Sequence, residues 1–310
     1  MIKEICLKPD YLKKTFFLID QRYKSKHLHK LKHLKIKNNS WGRFLYYAKN
    51  KNKFDKIFTF GNIPPTHKQR GFVINYFHQP LFVDDIKNKD FKVTLKKLFI
   101  NLLKNNVNLW VAQNKLMSDK IKKKYGHNLK TDIIPFYQES RSKETIKEFT
   151  FFYPSLGYEH KNHVKLISAF IKFYKVYNTG KLILTVGDEN RKLKKELTEI
   201  QKKYPVINLG YINKNEVNEI YKTSEFVIFP SLNESFGLGL IEAINFNCKV
   251  LVSDLDYATE ICIPSLSFDP NSEDDLINAF IAAKRLDLPY PKPLIKNDIK
   301  KLLSQIYNEN

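Results

Sequence analysis

Residues 226–254 read FVIFPSLNESFGLGLIEAINFNCKVLVSD, and this stretch decides the fold. The apolar run 226–229 has the length and the bulky residues of a buried strand, and 250–253 repeats it after a helical pattern at 237–245. Strand, polar loop, helix and strand in that order make one unit of a parallel sheet, closed by a right-handed crossover. In such sheets ligands bind beyond the carboxyl ends of the strands, which is where loop 230–235 falls. The helix begins near Phe236 with small residues, so its unpaired N–H groups and positive dipole end suit a diphosphate. Gly237 and Gly239 are expected to let a ligand approach the backbone closely. Glu234 in the loop and Glu242 in the helix would repel a diphosphate, so beside one they make sense only as partners of neutral groups, such as sugar hydroxyls. A nucleotide sugar carries both kinds of group.

The same alternation continues outward from this stretch. Strands are expected at 149–153, 182–186 and 206–209, with helices at 161–177, 191–203 and 214–223, which makes the second half a doubly wound α/β domain. In the first half, strands at 16–19, 56–60, 73–76, 109–111 and 131–134 and helices at 93–103 and 117–125 point to a second α/β sheet. The polar segment 139–147 suits a linker, dividing the chain into domains 1–145 and 146–310.

The stretch 226–254 resembles the nucleotide-sugar-binding segment of the family-four retaining glycosyltransferases. Their hallmark is a glutamate, seven residues and a second glutamate, the spacing of Glu234 and Glu242. Pro230, Ser231, Phe236, Gly237, Leu238, Ala243, Val250, Ser253, Asp254 and Glu260 fit the surrounding pattern. The resemblance implies the GT-B fold, two Rossmann-like doubly wound domains facing across a cleft, with an acceptor-side domain first and the donor domain second. It implies that Glu242 holds the donor ribose hydroxyls, while Glu234 and the backbone of Ser235, Phe236, Gly237 and Leu238 contact the transferred sugar and the diphosphate.

A second matching block is FFYPSLGYEHKNHVKLISAF at 151–170, in which Lys161 and Asn162 open an amphipathic helix. The corresponding lysine of such enzymes binds the diphosphate, and an ammonium there offsets the charge that builds on the leaving group. Many relatives also carry an arginine a few residues earlier; this chain has Ser155 and no arginine nearby, so either the leaving-group clamp is weaker or a side chain such as His160 assists. Gly187 ends one strand, and Gly210, Tyr211 and Ile212 follow another where relatives cradle the base. Asn247 and Lys249 stand where the family often has glycine and proline, which puts the local turn in question. In the first half the resemblance covers mainly 74–83 and 109–126. His78 follows a strand where relatives place a histidine facing the donor sugar, and is either catalytic or structural. The glycine-rich loop that many relatives carry near the amino terminus is missing, so acceptor contacts cannot be carried over.

The composition adds one strong asymmetry. The 310 residues carry a formal charge of +21, and all of it lies in residues 1–148, with 33 lysines and arginines against 12 aspartates and glutamates; the remainder balances at 20 of each. Such a field attracts phosphates, nucleic acid or an anionic membrane surface. Cys6, Cys248 and Cys262 are too few and scattered for a disulfide framework and are expected to be free thiols. His29 and His33, four apart, could share a helical face, but no acidic or thiol ligand accompanies them, and 27–37 reads as a solvated basic face. P-loop, dinucleotide-fingerprint, nucleophile-elbow and H-E-x-x-H motifs are absent.

The expectation is therefore a retaining hexosyltransferase that uses a nucleoside diphosphate sugar as donor substrate and a saccharide or lipid-linked acceptor in bacterial surface polysaccharide or lipopolysaccharide assembly. Glu234, Lys161 and His78 are the catalytic candidates; no cofactor and no essential metal are expected, because lysine and a helix end can neutralise the leaving phosphate. A sugar-nucleotide epimerase on the same scaffold and a basic nucleic-acid-binding module are the alternatives, although no nucleic-acid motif is present. With no signal-like apolar start, the chain is expected in the cytoplasm, held peripherally on the inner membrane face by lysines such as Lys24, Lys26, Lys30, Lys32, Lys35 and Lys37, with no inserted helix.

Overall fold

A computed structural model describes residues 2–24, 28–37, 40–84, 91–137 and 146–307. The chain forms two compact units, residues 1–136 with 297–310, and residues 137–296. The division falls at Tyr137, and the last segment rejoins the first unit instead of staying with residues 146–296. Most of the linker expected at 139–147 lies outside the described residues, as does Lys26.

The first unit contains α1 (Ile2–Cys6), α2 (Pro9–Lys14), β1 (Phe17–Asp20), β2 (His33–Ile36), α3 (Ser40–Lys49), β3 (Lys56–Thr59), β4 (Phe72–Phe77), α4 (Phe91–Leu103), β5 (Leu109–Ala112), α5 (Lys115–Tyr125) and β6 (Thr131–Ile133). Strands β3-β4-β5-β6 form a parallel sheet in that order, and β1 pairs with β2 in a separate parallel pair. His33 lies in a strand and His29 in a single 3-10 turn, so the two do not share a helical face.

The second unit holds β7 (Glu148–Tyr153), α6 (His163–Tyr177), β8 (Lys181–Leu184), α7 (Arg191–Ile200), β9 (Val206–Asn208), α8 (Lys214–Thr223), β10 (Ser224–Phe229), α9 (Leu238–Asn245), β11 (Lys249–Ser253), α10 (Asp256–Thr259), β12 (Cys262–Ile263), β13 (Leu266–Phe268), α11 (Glu273–Arg285) and β14 (Lys292–Pro293). Helix α12 (Ile299–Tyr307) then packs Leu302 with Ile74, Tyr76 and Val111 of the first unit. The second unit's main sheet runs β13-β11-β10-β7-β8-β9, every neighbouring pair parallel. Its order reverses at β7: the chain moves one way to β8 and β9, then returns to the other side of β7 for β10, β11 and β13.

Aromatic strands explain this unit's cohesion. Phe151 of β7 stacks on Phe226 of β10 at 5.1 Å, and Phe280 of α11 meets Phe151 edge-on at 4.7 Å, all three fully buried. Such pairs add about 0.5–1.5 kcal/mol each beyond the apolar area they bury. The turn in question at 247–249 forms without glycine or proline. Asn247 adopts φ +54, a conformation asparagine tolerates better than most residues, and Lys249 reaches Asp287 at 3.0 Å. Cys248 and Cys262 are buried free thiols, and Cys6 is a partly buried one.

Candidate active site

The reversal of strand order between β7 and β10 opens a crevice beyond their carboxyl ends, the place where open α/β sheets hold ligands. The segment after β7 delivers Lys161 there and the loop after β10 delivers Glu234, and their side chains meet, Nζ to Oε1, at 2.5 Å. Both are largely enclosed, the lysine 16% and the glutamate 13% exposed. Lys161 closes a 3-10 turn, Glu159–Lys161, and Asn162 at φ +58 reverses the chain into α6, so the lysine precedes the helix it was expected to open.

The two loops are fixed to each other as well as to their strands. The Tyr153 hydroxyl, at the end of β7, bonds Ser231 Oγ at 2.7 Å and donates to the Lys161 carbonyl at 3.0 Å. Leu232 N donates to the His160 carbonyl at 2.8 Å, and the Tyr257 hydroxyl donates to the Ser231 carbonyl at 3.0 Å. These tyrosines are buried, hydroxyls included, so their polar ends need partners, and the loops supply them. Neither was singled out in the sequence; for Tyr153 the legible signal is a tyrosine ending an apolar strand just before a polar loop.

Gly237 caps α9 in the left-handed conformation, φ +64, with Phe236 buried behind it and Leu238 as the first helical residue. Gly239 has a different role from the one expected. A Cβ there would lie 2.3 Å from Phe229 Cζ, so this glycine lets α9 pack closely on β10 and does not open backbone to a ligand. Glu242 lies on the same helix, with Oε1 2.5 Å from Lys214 Nζ and Oε2 accepting from the Tyr221 hydroxyl at 3.5 Å. Lys214 and Tyr221 are both on α8, and neither was singled out in the sequence.

Gly187 follows β8, and its N–H donates to Glu189 Oε1 at 3.0 Å, the same oxygen that accepts from Gly157 N at 2.6 Å. Two backbone donors are thus held by one carboxylate, which they keep below its usual pKa despite the opposing effect of desolvation. Tyr211 and Ile212 follow β9 and Gly210, whose φ is +67; the Tyr211 side chain is exposed. Ser155 is buried, and burial pushes the His160 ring below its ordinary pKa, with Lys161 adding to the effect. The imidazole is therefore neutral at pH 7, unlike the arginine that many relatives carry nearby.

In the first unit His78 stands just beyond β4, half-buried, with Phe60 stacked on its ring at 4.9 Å. Asn62, itself at φ +62, fixes the backbone there: its Oδ1 accepts from His78 N at 2.7 Å and from Gln79 N at 3.0 Å. Burial lowers the pKa of the His78 ring, so it too is neutral at pH 7. Among the described residues no group of three or more His, Cys, Asp or Glu is placed to hold a metal ion.

The parallel α/β units have the GT-B fold, and solved structures of that fold superpose on this chain. Residues 133–301, more than half of the chain, match the family Glycosyl transferases group 1, and the chain belongs to that family. Among curated relatives, the O-antigen chain mannosyltransferase RfbU of Salmonella typhimurium is 31% identical over 147 residues, 46% of this chain and 38% of its own. The alpha-monoglucosyldiacylglycerol synthase of Acholeplasma laidlawii is 26% identical over 139 residues, 41% of this chain and 34% of its own. The matches therefore span less than half the length of either relative. Sucrose-phosphate synthase from Thermosynechococcus elongatus has the same fold, with a TM-score of 0.66 at 16% identity over 86% of this chain and 79% of that one. The pneumococcal O-GlcNAc transferase GtfA, solved with UDP and GlcNAc, gives 0.58 at 17% over 88% and 57%.

Proposed function

We propose that this chain transfers a hexose, with retention of anomeric configuration, from a nucleoside diphosphate sugar to a saccharide or lipid-linked acceptor in surface polysaccharide or lipopolysaccharide assembly. The observation that carries the reading is the Lys161–Glu234 pair at the switch point, opposite charges suited to the two halves of such a donor. The Lys161 ammonium has three donors, so it can keep Glu234 and also hold a phosphate oxygen. Glu234 then accepts from hydroxyls of the transferred sugar. The backbone of Ser235, Phe236, Gly237 and Leu238 at the start of α9 receives the diphosphate, and Glu242 accepts from the ribose hydroxyls while Lys214 balances its charge. Gly187, Tyr211 and Ile212 border the nucleoside. A neutral His78 is suited to donate to a hydroxyl of a bound sugar.

As the glycosidic bond breaks, negative charge grows on the leaving phosphate, and a fixed ammonium with a helix N-terminus stabilises it more than the ground state. The acceptor hydroxyl attacks the same face that the phosphate leaves, and the phosphate oxygen takes its proton. No protein carboxylate is needed as a covalent nucleophile. Two relatives are named for a mannosyltransferase of O-antigen chains and a glucosyl lipid synthase, which favours glycosyl transfer over epimerisation or nucleic-acid binding. The test is incubation of the intact protein with labelled UDP-, GDP- and ADP-sugars and a panel of saccharide and lipid-linked acceptors. Label appearing in acceptor with retained configuration supports the reading; label epimerised or released without acceptor contradicts it.

A further inference from the structure

Helix α4 has the sequence FKVTLKKLFINLL and is apolar on two opposite sides. Val93 and Ile100 pack into the core of the first unit beside Phe77, Phe82 and Trp110. The other side carries Phe91, Leu95, Leu98 and Leu102, spaced four, three and four residues apart, so they form one stripe along the helix. That stripe faces solvent: Phe91 is 76% exposed, Leu95 41%, Leu98 56% and Leu102 76%, with Phe99 beside it at 42%. A single exposed leucine is ordinary, but a continuous stripe of five large side chains on one helix marks an interaction surface.

The charge around the stripe selects the partner. Helix α4 has no acidic residue, and the exposed Lys92 falls next to the stripe by helical position, while Lys96 turns back over the Phe82 ring at 5.8 Å and Lys97 donates to the Asp84 carbonyl at 2.7 Å. The first 148 residues carry the chain's whole +21. On α3, Trp41, Phe44 and Leu45 are also exposed, at helical spacing. One loop links the two helices: Phe44 packs on His67 at 4.4 Å, and Asn106, just after α4, donates to the Pro65 carbonyl at 2.8 Å.

We propose that the outer faces of α4 and α3 dock on the surface of an anionic lipid bilayer, with the Phe91–Leu102 stripe lying in the acyl boundary and the excess positive charge of the first unit drawing it to the headgroups. Phenylalanine and leucine on one face, a tryptophan nearby and a strongly basic surrounding are the features of a helix that lies in the membrane plane. No helix among the described residues is long and apolar enough to cross a bilayer, so the helix lies on the membrane and does not span it. The lysines of 24–37 offer charge alone. The exposed stripe adds an apolar component that salt does not screen.

The test uses the intact chain without any nucleotide sugar, so its outcome is independent of the donor reading. Binding is measured by co-sedimentation with vesicles of phosphatidylglycerol and phosphatidylcholine, and with phosphatidylcholine alone, at about 0.1 M and 1 M salt. Trp41 reports insertion, because Trp110, the chain's other tryptophan, is buried and contributes a constant background. The intact chain is expected to bind the anionic vesicles, to shift its Trp41 emission to the blue and to keep part of its binding at high salt. The triple substitution Leu95→Gln, Leu98→Gln and Leu102→Gln, at exposed positions, should leave circular dichroism and the thermal midpoint unchanged and weaken vesicle binding roughly tenfold or more. Equal binding by the triple variant would overturn the proposal, leaving charge alone. So would absence of binding by the intact chain, or self-association in solution that the triple variant abolishes, which would assign the stripe to a second copy.

Discussion

Lys161 and Glu234, 73 residues apart in the chain, meet at 2.5 Å beyond the carboxyl ends of two adjacent parallel strands. Because β7 and β10 are where the strand order reverses, one short contact ties the segments that follow them together and places both signs of charge beyond their carboxyl ends.

Glu234→Gln removes the charge and keeps the shape, and Lys161→Ala removes the ammonium. Each is expected to lower kcat on the order of a hundredfold, since both groups act beside the bond that breaks. Steady-state kinetics on purified variants with unchanged circular dichroism check this; a variant that turns over like the parent assigns its residue a structural role.

Glu242 has a separate consequence. Held by Lys214 and Tyr221, its carboxylate is positioned before any ligand arrives. Glu242→Gln should weaken nucleoside diphosphate binding roughly tenfold or more, since hydrogen bonds to a charged acceptor contribute about 1.5–3 kcal/mol. Glu242→Ala should weaken it at least as much, and calorimetric titration with the free nucleotide measures both.

Gly239→Ala should destabilise the fold by roughly 1–3 kcal/mol, because the added methyl would meet Phe229 Cζ at 2.3 Å. Thermal unfolding reads the loss, and Phe229→Leu combined with Gly239→Ala should recover part of it. A variant as stable as the parent would show that α9 can move off β10 at no cost.

His163, at the start of α6, gives the protein a pH dependence. Burial, with Lys161 adding to it, pushes its ring down to about 4 from an ordinary 6.5. Below pH 6.5 the unfolded chain takes up a proton that the folded chain refuses until pH 4, so stability is present above 6.5 and is lost as pH falls. Between pH 7.5 and 5 this costs about 2 kcal/mol. His163→Phe keeps a ring on Tyr153 without a titrating group, and urea unfolding at the two pH values should show that much less difference for the variant than for the parent.

The second unit was largely legible because its signals are local. Helix α8 was read residue for residue, having a capping box of Asn213 and Glu216 at its start and the buried strand 224–229 at its end. The segment bearing Glu234 and Glu242 was legible by its spacing. What lay outside the reading depends on distant partners. The pattern of Ile299–Tyr307 says that one face is buried but not that Ile74 and Tyr76 bury it, so the return of α12 to the first unit went unseen. His33–Ile36 alternates weakly and faces solvent, so β2 looked like a charged surface. Gly239 resembled a ligand-facing glycine until Phe229 stood opposite it. The exposed stripe of α4 has the same periodicity as a buried one, and only the fold separates them.

The most direct test of the site is calorimetric titration of the intact protein, Lys161→Ala and Glu242→Gln with UDP-, GDP- and ADP-sugars. The parent should bind one of these donors at a single site, and each variant should bind it roughly tenfold or more weakly while melting close to the parent temperature. Unchanged affinity in both folded variants, or no binding of any donor by the parent, would contradict the assignment of the nucleotide sugar to the switch point of the second unit.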